Sequence, residues 1–200
     1  MMHDYAIFGH DRASIGRWLG VASISIAGGI SQLLSVTSEW SGLETFGKAT
    51  VTTAIVYFSL HWLFNHYAWK LPYFKLPNLE GTWSLKGQTL TEDGNTKYAW
   101  DADIGIEQTW KEIVITLKTK NSKSYSQTAT LEKIHGFGGW LLSYSYKNEP
   151  KIEQCHELNA HKGYCQVEID KDLKQGDASY FNNSGRRTFG IMQLIKVEND

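Results

Sequence analysis

From Leu79 onward the chain alternates apolar and polar residues in short runs, each closed by residues that tolerate tight turns. Eight such runs stand near 79–87, 97–110, 112–120, 124–134, 139–147, 162–169, 177–183 and 187–197. Between them lie "TEDGN", "KNS", "HGFG", "KNEP", "DKDLKQG" and "NNSG", which bring the Gly, Asn, Asp and Pro that turns use. In the second run Asp101, Asp103 and Glu107 share one side, while Trp100, Ala102, Ile104, Ile106, Gln108 and Trp110 share the other. One face therefore meets water and the other a core. In the fifth run Trp140, Leu142, Tyr144 and Tyr146 fall together. No long helical period interrupts this region. Eight antiparallel strands with short connections predict a minimal up-and-down β-barrel, because closure removes exposed edges. Gly81 and Trp83 open the first strand as Gly-x-Trp, the start of many lipocalin-like barrels, and Trp83 is expected to plug the floor.

Before Leu79 the pattern changes in kind. Trp18 to Val36 runs nineteen residues without a formal charge, and Ala49 to Trp69 runs twenty-one without Asp, Glu, Lys or Arg. Nineteen helical residues span ~28 Å, about the thickness of a hydrocarbon core. The pattern predicts two transmembrane helices, 18–36 and 49–69, joined as a hairpin. A cleaved signal peptide would need a short basic start and a nearby cleavage site. The opening "MMHDYAIFGHDRASIGR" is long and mixed in charge, and a second apolar run follows.

Composition sharpens this division. The whole chain is unremarkable at 200 residues, 42% hydrophobic and net charge −1. Only nine Asp, Glu, Lys or Arg fall in residues 1–76, against thirty-two in 77–200. The expected organisation is an N-terminal membrane segment, 1–76, and a polar β domain, 77–200. Arg12 and Arg17 precede the first span, and Lys70 and Lys75 follow the second. Positive-inside bias then puts both termini in the cytoplasm, with Trp18, Trp40, Tyr67, Trp69 and Tyr73 as an aromatic belt. A cytoplasmic domain is a poor place for a disulfide between Cys155 and Cys165. With His156 and His161 they spell C-H-x4-H-x3-C, whose spacing fits no compact zinc knuckle. No metal or other cofactor is expected.

Candidate chemistry is sparse. Arg186 and Arg187 are the only arginines of the β domain and sit at a predicted rim turn, near Tyr180, Asn182 and Asn183. They are either an anion clamp, since guanidinium suits phosphate, or a solvated basic turn. Tyr144, Tyr146 and Trp140 are either core or a stacking surface for bases. Gln108, on an otherwise apolar face beside Trp110, needs an internal partner or a ligand. In the second span Tyr57, His61 and Asn65 form a polar stripe at four-residue spacing, suited to a partner helix or a wet cavity. Gly16, Gly20, Ser23, Ala27, Ser31 and Ser35 form a small-residue stripe on the first. Nucleophile elbow, Walker A, His-Glu-x-x-His and Cys-x-x-Cys patterns do not occur, so a nonenzymatic role is expected. DNA and RNA are not expected partners.

The stretches "LEGTWSLKG", "IGIEQTWKEIVITL", "GWLLSYSYKNEP", "AHKGY" and "ASYFNNSGRRTFGIMQLIK", after two spans, resemble one family. It is the two-transmembrane, β-strand-rich effectors of bacterial CBASS antiphage systems. The resemblance implies a receptor whose barrel senses a cyclic dinucleotide made by a partner nucleotidyltransferase. It further implies homo-oligomerisation in the bacterial inner membrane, bilayer disruption and death of the infected cell. On chemical grounds the ligand site would use Arg186, Arg187, Tyr180, Asn182, Tyr144, Tyr146, Gln108 and Trp110. A membrane-anchored lipocalin-like carrier of an apolar molecule and a ligand-free protein-interaction barrel remain as alternatives.

Overall fold

A computed structural model describes residues 1–41, 53–136, 138–154, 160–183 and 187–198. The chain divides into two compact units, residues 1–9 with 75–200, and residues 10–74. The first unit holds the strands β1 (His3–Ile7), β2 (Gly81–Leu90), β3 (Thr96–Gln108), β4 (Glu112–Lys118), β5 (Ser122–Lys133), β6 (Trp140–Pro150), β7 (His161–Ile169), β8 (Gln175–Asn183) and β9 (Phe189–Lys196). They close into one barrel in the order β1-β4-β3-β2-β9-β8-β7-β6-β5.

The barrel thus has nine strands where the pattern predicted eight, and its boundary is not the expected 1–76/77–200. The ninth comes from the far N-terminus. The β4–β5 hairpin pairs only near its turn, Thr116 with Tyr125 to Lys118 with Lys123. Beyond that point its arms part, and β1 fills the fork. It runs antiparallel to β4 (His3 opposite Ile113) and parallel to β5 (Tyr5, Ala6 and Ile7 opposite Ala129, Thr130 and Leu131). Tyr5 and Ile7 point into the core. At the apex Ser126 Oγ accepts the Ile115 N–H at 2.9 Å and lies 2.7 Å from His3 Nε2.

Strand direction defines two ends. At the floor β1 ends, β2 begins, and the β3–β4, β5–β6 and β7–β8 connections turn back. At the mouth lie the β2–β3, β4–β5, β6–β7 and β8–β9 connections. The floor half is solid, with Trp83, Ile104, Ile113, Leu131, Leu142 and Val167 almost wholly buried. Trp83 closes it as expected, its indole Nε1 donating to the Leu79 carbonyl at 3.0 Å. The Lys196 ammonium sits 5.5 Å from the Trp83 ring centre, and burial lowers its pKa against the opposing pull of Glu80.

The second unit contains α1 (Arg12–Ser41) and α2 (Thr53–His66), packed together. The helix α1 starts earlier and ends later than the expected 18–36, and Arg12–Ile30 is long and apolar enough to cross a membrane. The expected second span began at 49, and its first four residues lie outside those described. α2 stops at His66, and short 3-10 turns at Ala68–Lys70 and Pro72–Phe74 replace its predicted last turn. Val21, Ile24, Ile55, Phe58 and Trp62 are exposed on the outer faces, as lipid contact requires. Trp18, Tyr67 and Tyr73 are exposed too, whereas Trp69 is fully buried and does not serve in a belt.

Candidate functional site

Along the inner face of several strands the residues change from apolar to polar toward the mouth. β2 passes from Leu85 through Gly87 to Thr89, β6 from Leu142 through Tyr144 and Tyr146 to Asn148, and β7, read backwards, from Val167 through Cys165 and Gly163 to His161. The result is a cleft of about 350 Å³ above the packed half. Tyr98, Trp100 and Tyr180 give it aromatic surface. Thr89, Asn148, His161, Asn182 and Thr188 add polar groups, and the β4–β5 turn contributes Thr119 to Ser122. The interior is therefore filled at the floor and open at the mouth.

Two glycines make the aromatic positions possible. A Cβ on Gly87 would collide with the Trp100 ring, and one on Gly190 with Tyr180. The two rings meet edge to face, 5.9 Å between centres. Tyr180 is fixed further by a 2.7 Å hydrogen bond between its hydroxyl and Thr89 Oγ1. On the other wall Tyr146 donates to Asn182 Oδ1 at 2.6 Å, and Asn182 Nδ2 donates to Thr188 Oγ1 at 2.7 Å. Asn148 Nδ2 donates to Ser122 Oγ at 3.1 Å, which ties β6 to the β4–β5 turn. The described lining has one lysine, Lys120, one carboxylate, Asp101, and one histidine, His161. It is a hydrogen-bonding site that carries one ammonium and one carboxylate among its described lining.

The expected ligand residues separate into groups. Tyr180 and Asn182 line the cleft, and Tyr146 braces Asn182. Tyr144 lies deeper, 4% exposed, and its hydroxyl meets the Cys165 thiol. Burial raises the Tyr144 pKa well above its ordinary value and pushes the Cys165 thiol up to about 12, so both stay neutral. Gln108 and Trp110 are buried at the floor, away from the cleft. Arg187 is exposed next to Thr188 and does not line the cleft, and Arg186 lies outside the described residues. Sequence reasoning missed Tyr98, Thr89, Thr119, Lys120, Asn121, Ser122, Asn148, His161 and Thr188 as lining residues, and had placed Trp100 only on a core face and Asp101 only on the water-facing side. The usable signal was the polar change at one end of the inner-face positions.

Residues 74–196 match the model described as "Cap15, cyclic dinucleotide receptor domain", and residues 13–70 match "Cap15, TM helices". The chain belongs to the Cap15 family. It is similar to CD-NTase-associated protein 15 of Yersinia aleksiciae, 34% identical over 209 aligned positions that cover 98% of both chains.

In Cap15 terms the cleft opens within the receptor-domain match. The helical unit falls in the TM-helix match and associates the chain with a membrane. There Tyr57, His61 and Asn65 are half-buried on one face of α2, and the rings of Tyr57 and His61 lie 6.0 Å apart. Of the small-residue stripe, Ser23 and Ala27 are buried and Gly16 lies close to the Tyr57 hydroxyl, while the side chains of Ser31 and Ser35 lie outside those described. Ser23 satisfies its hydroxyl on the Leu19 carbonyl at 2.6 Å. Of the Cys/His group, Cys155 and His156 lie outside the described residues. Cys165 faces Tyr144, while His161 stands at the mouth. Among the described residues no group of His, Cys, Asp and Glu is arranged to hold a metal ion.

Proposed function

We propose that this chain is a nonenzymatic antiphage effector whose barrel mouth binds a cyclic dinucleotide produced by a partner nucleotidyltransferase. The observation that carries the reading is the mouth cleft, with aromatic, amide and hydroxyl groups around one lysine, inside the segment matched to a cyclic dinucleotide receptor domain. Trp100 and Tyr98 offer stacking surface to a base. The amides and hydroxyls suit base edges and ribose, and Lys120 suits a phosphate. An apolar carrier would want an apolar cavity, and the polar lining favours the receptor over it.

The chain sits as a two-span protein in the bacterial inner membrane with both termini in the cytoplasm. Ligand binding favours a homo-oligomer, which disrupts the bilayer and causes abortive infection. A ligand shifts that equilibrium only by binding the assembled form more tightly. The test is thermal unfolding of the detergent-solubilised full chain against a panel of cyclic dinucleotides. A stabilising ligand is expected, with Trp100→Ala weakening it by tenfold or more and Lys120→Ala by about tenfold. Arg187→Ala should leave affinity within about twofold, because that side chain does not line the cleft. A panel without any shift removes the receptor reading.

A further inference from the structure

The residue that sequence reasoning offered to the ligand, Gln108, does something else. Its side chain is 3% exposed at the floor and fully engaged. Oε1 accepts the Leu79 N–H at 2.8 Å, and Nε2 donates to the Tyr5 hydroxyl at 3.0 Å and to the Pro77 carbonyl at 3.1 Å. The Tyr5 hydroxyl in turn donates to the Thr109 carbonyl at 3.2 Å. Tyr5 belongs to β1, from which the chain runs through four residues into α1. Pro77 and Leu79 belong to the stretch by which the chain returns after α2. One carboxamide therefore bonds both leads through which the barrel is joined to the helical segment.

We propose that Gln108 is a positioning residue that couples these two leads, so that they shift together when the mouth is occupied. β1 supplies the connection to the mouth. Its His3 reaches Ser126 at the apex of the β4–β5 fork, and the turn of that hairpin, Thr119 to Ser122, is a wall of the cleft. Displacement of the turn alters the width of the fork, the fork holds β1, and Tyr5 carries the change to Gln108. Buried amides with every hydrogen bond made act as rigid junctions, because breaking one bond strands its partners without water. The ligand-dependent half of this inference rests on the receptor reading; the coupling of the two leads does not.

The experiment is hydrogen exchange followed by mass spectrometry on the detergent-solubilised full chain, comparing wild type, Tyr5→Phe and Gln108→Leu. Tyr5→Phe keeps the buried ring and removes only the hydroxyl. Without ligand it should speed exchange not only in residues 3–7 but also, by about fivefold, in residues 78–80, whose bond to Gln108 it leaves intact. Gln108→Leu should loosen both leads together. Unchanged exchange at 78–80 in Tyr5→Phe overturns the coupling, even if Gln108→Leu fails to fold. With a cyclic dinucleotide that binds wild type, the ligand should slow exchange at 3–7 and 78–80. Tyr5→Phe should keep affinity within about threefold and lose the protection at 78–80. Retention of that protection also overturns the inference. If no cyclic dinucleotide binds wild type, the receptor reading fails, and the ligand-free comparison alone decides the coupling.

Discussion

Cys165 is the group at which burial has its clearest chemical consequence. Its thiol is pushed up to about 12 from an ordinary 9.0 by loss of water, the Tyr144 hydrogen bond opposing the rise. A group whose folded pKa is raised favours its protonated form in the native state. The stability it lends is complete below pH 9 and declines as pH climbs toward 12, by at most ~1.4 kcal/mol per pH unit. Cys165→Ala should therefore unfold at a lower temperature near neutrality yet lose less stability than wild type between pH 9 and 11. Parallel slopes in thermal scans would contradict this account. Tyr144 shares the raised direction, so it steepens alkaline loss in both proteins. The same residue scale shows what was legible. The inward set of β3, from Trp100 to Gln108, follows from period two alone. Which inward residues meet a ligand does not, because parity gives the face but not the depth.

At the scale of elements, β1 is the instructive case. "HDYAI" has alternating inward residues, Tyr5 and Ile7, but five residues before a helix carry too little pattern to announce a strand. Its place depends on a gap made by residues 112 to 131, far along the chain, and only the closed barrel creates that gap. A fragment comprising residues 75–200 alone should consequently leave the fork open. Linking residues 1–9 to residue 75 through a flexible Gly/Ser segment should raise its thermal midpoint by several degrees, since both ends of the linker lie at the floor. Equal midpoints for the two fragments would mean that β1 contributes no stability to the wall. Of the two rim arginines only Arg187 is among the described residues, and it does not line the cleft. Their charge drew attention, but the cleft takes its described cation, Lys120, from a different turn, the "KNS" connection that pattern identified only as a turn.

At the scale of the whole molecule, the proposed ligand cleft at the mouth and the chain leads at the floor occupy opposite ends of one barrel. A message between them has to pass through the wall. The short stretch after α2 carries Pro72 and Pro77, which restrict the backbone. A flexible Gly/Ser insertion after Phe74 should preserve ligand-induced thermal stabilisation while reducing dye release from vesicles that contain the protein. Undiminished release would make that stretch a passive tether. On the helical side, Ser23→Leu should disturb the hairpin, because a bulky side chain replaces a fully buried small one, and proteoliposome assembly should weaken.

Sequence by itself determined the separation into an apolar helical part and a polar β part. It also determined the strand rhythm, the inward faces and the plug at Trp83. These are local properties: helix and strand periods repeat within a few residues, and hydrophobic faces must be buried somewhere. Tertiary structure alone decided that the first residues complete the wall, and that Gln108 serves the floor. It also decided that the cleft gathers Thr89, Trp100, Lys120, Asn148 and Tyr180. Those groupings join residues distant in the chain, and they exist only once closure fixes strand order and register.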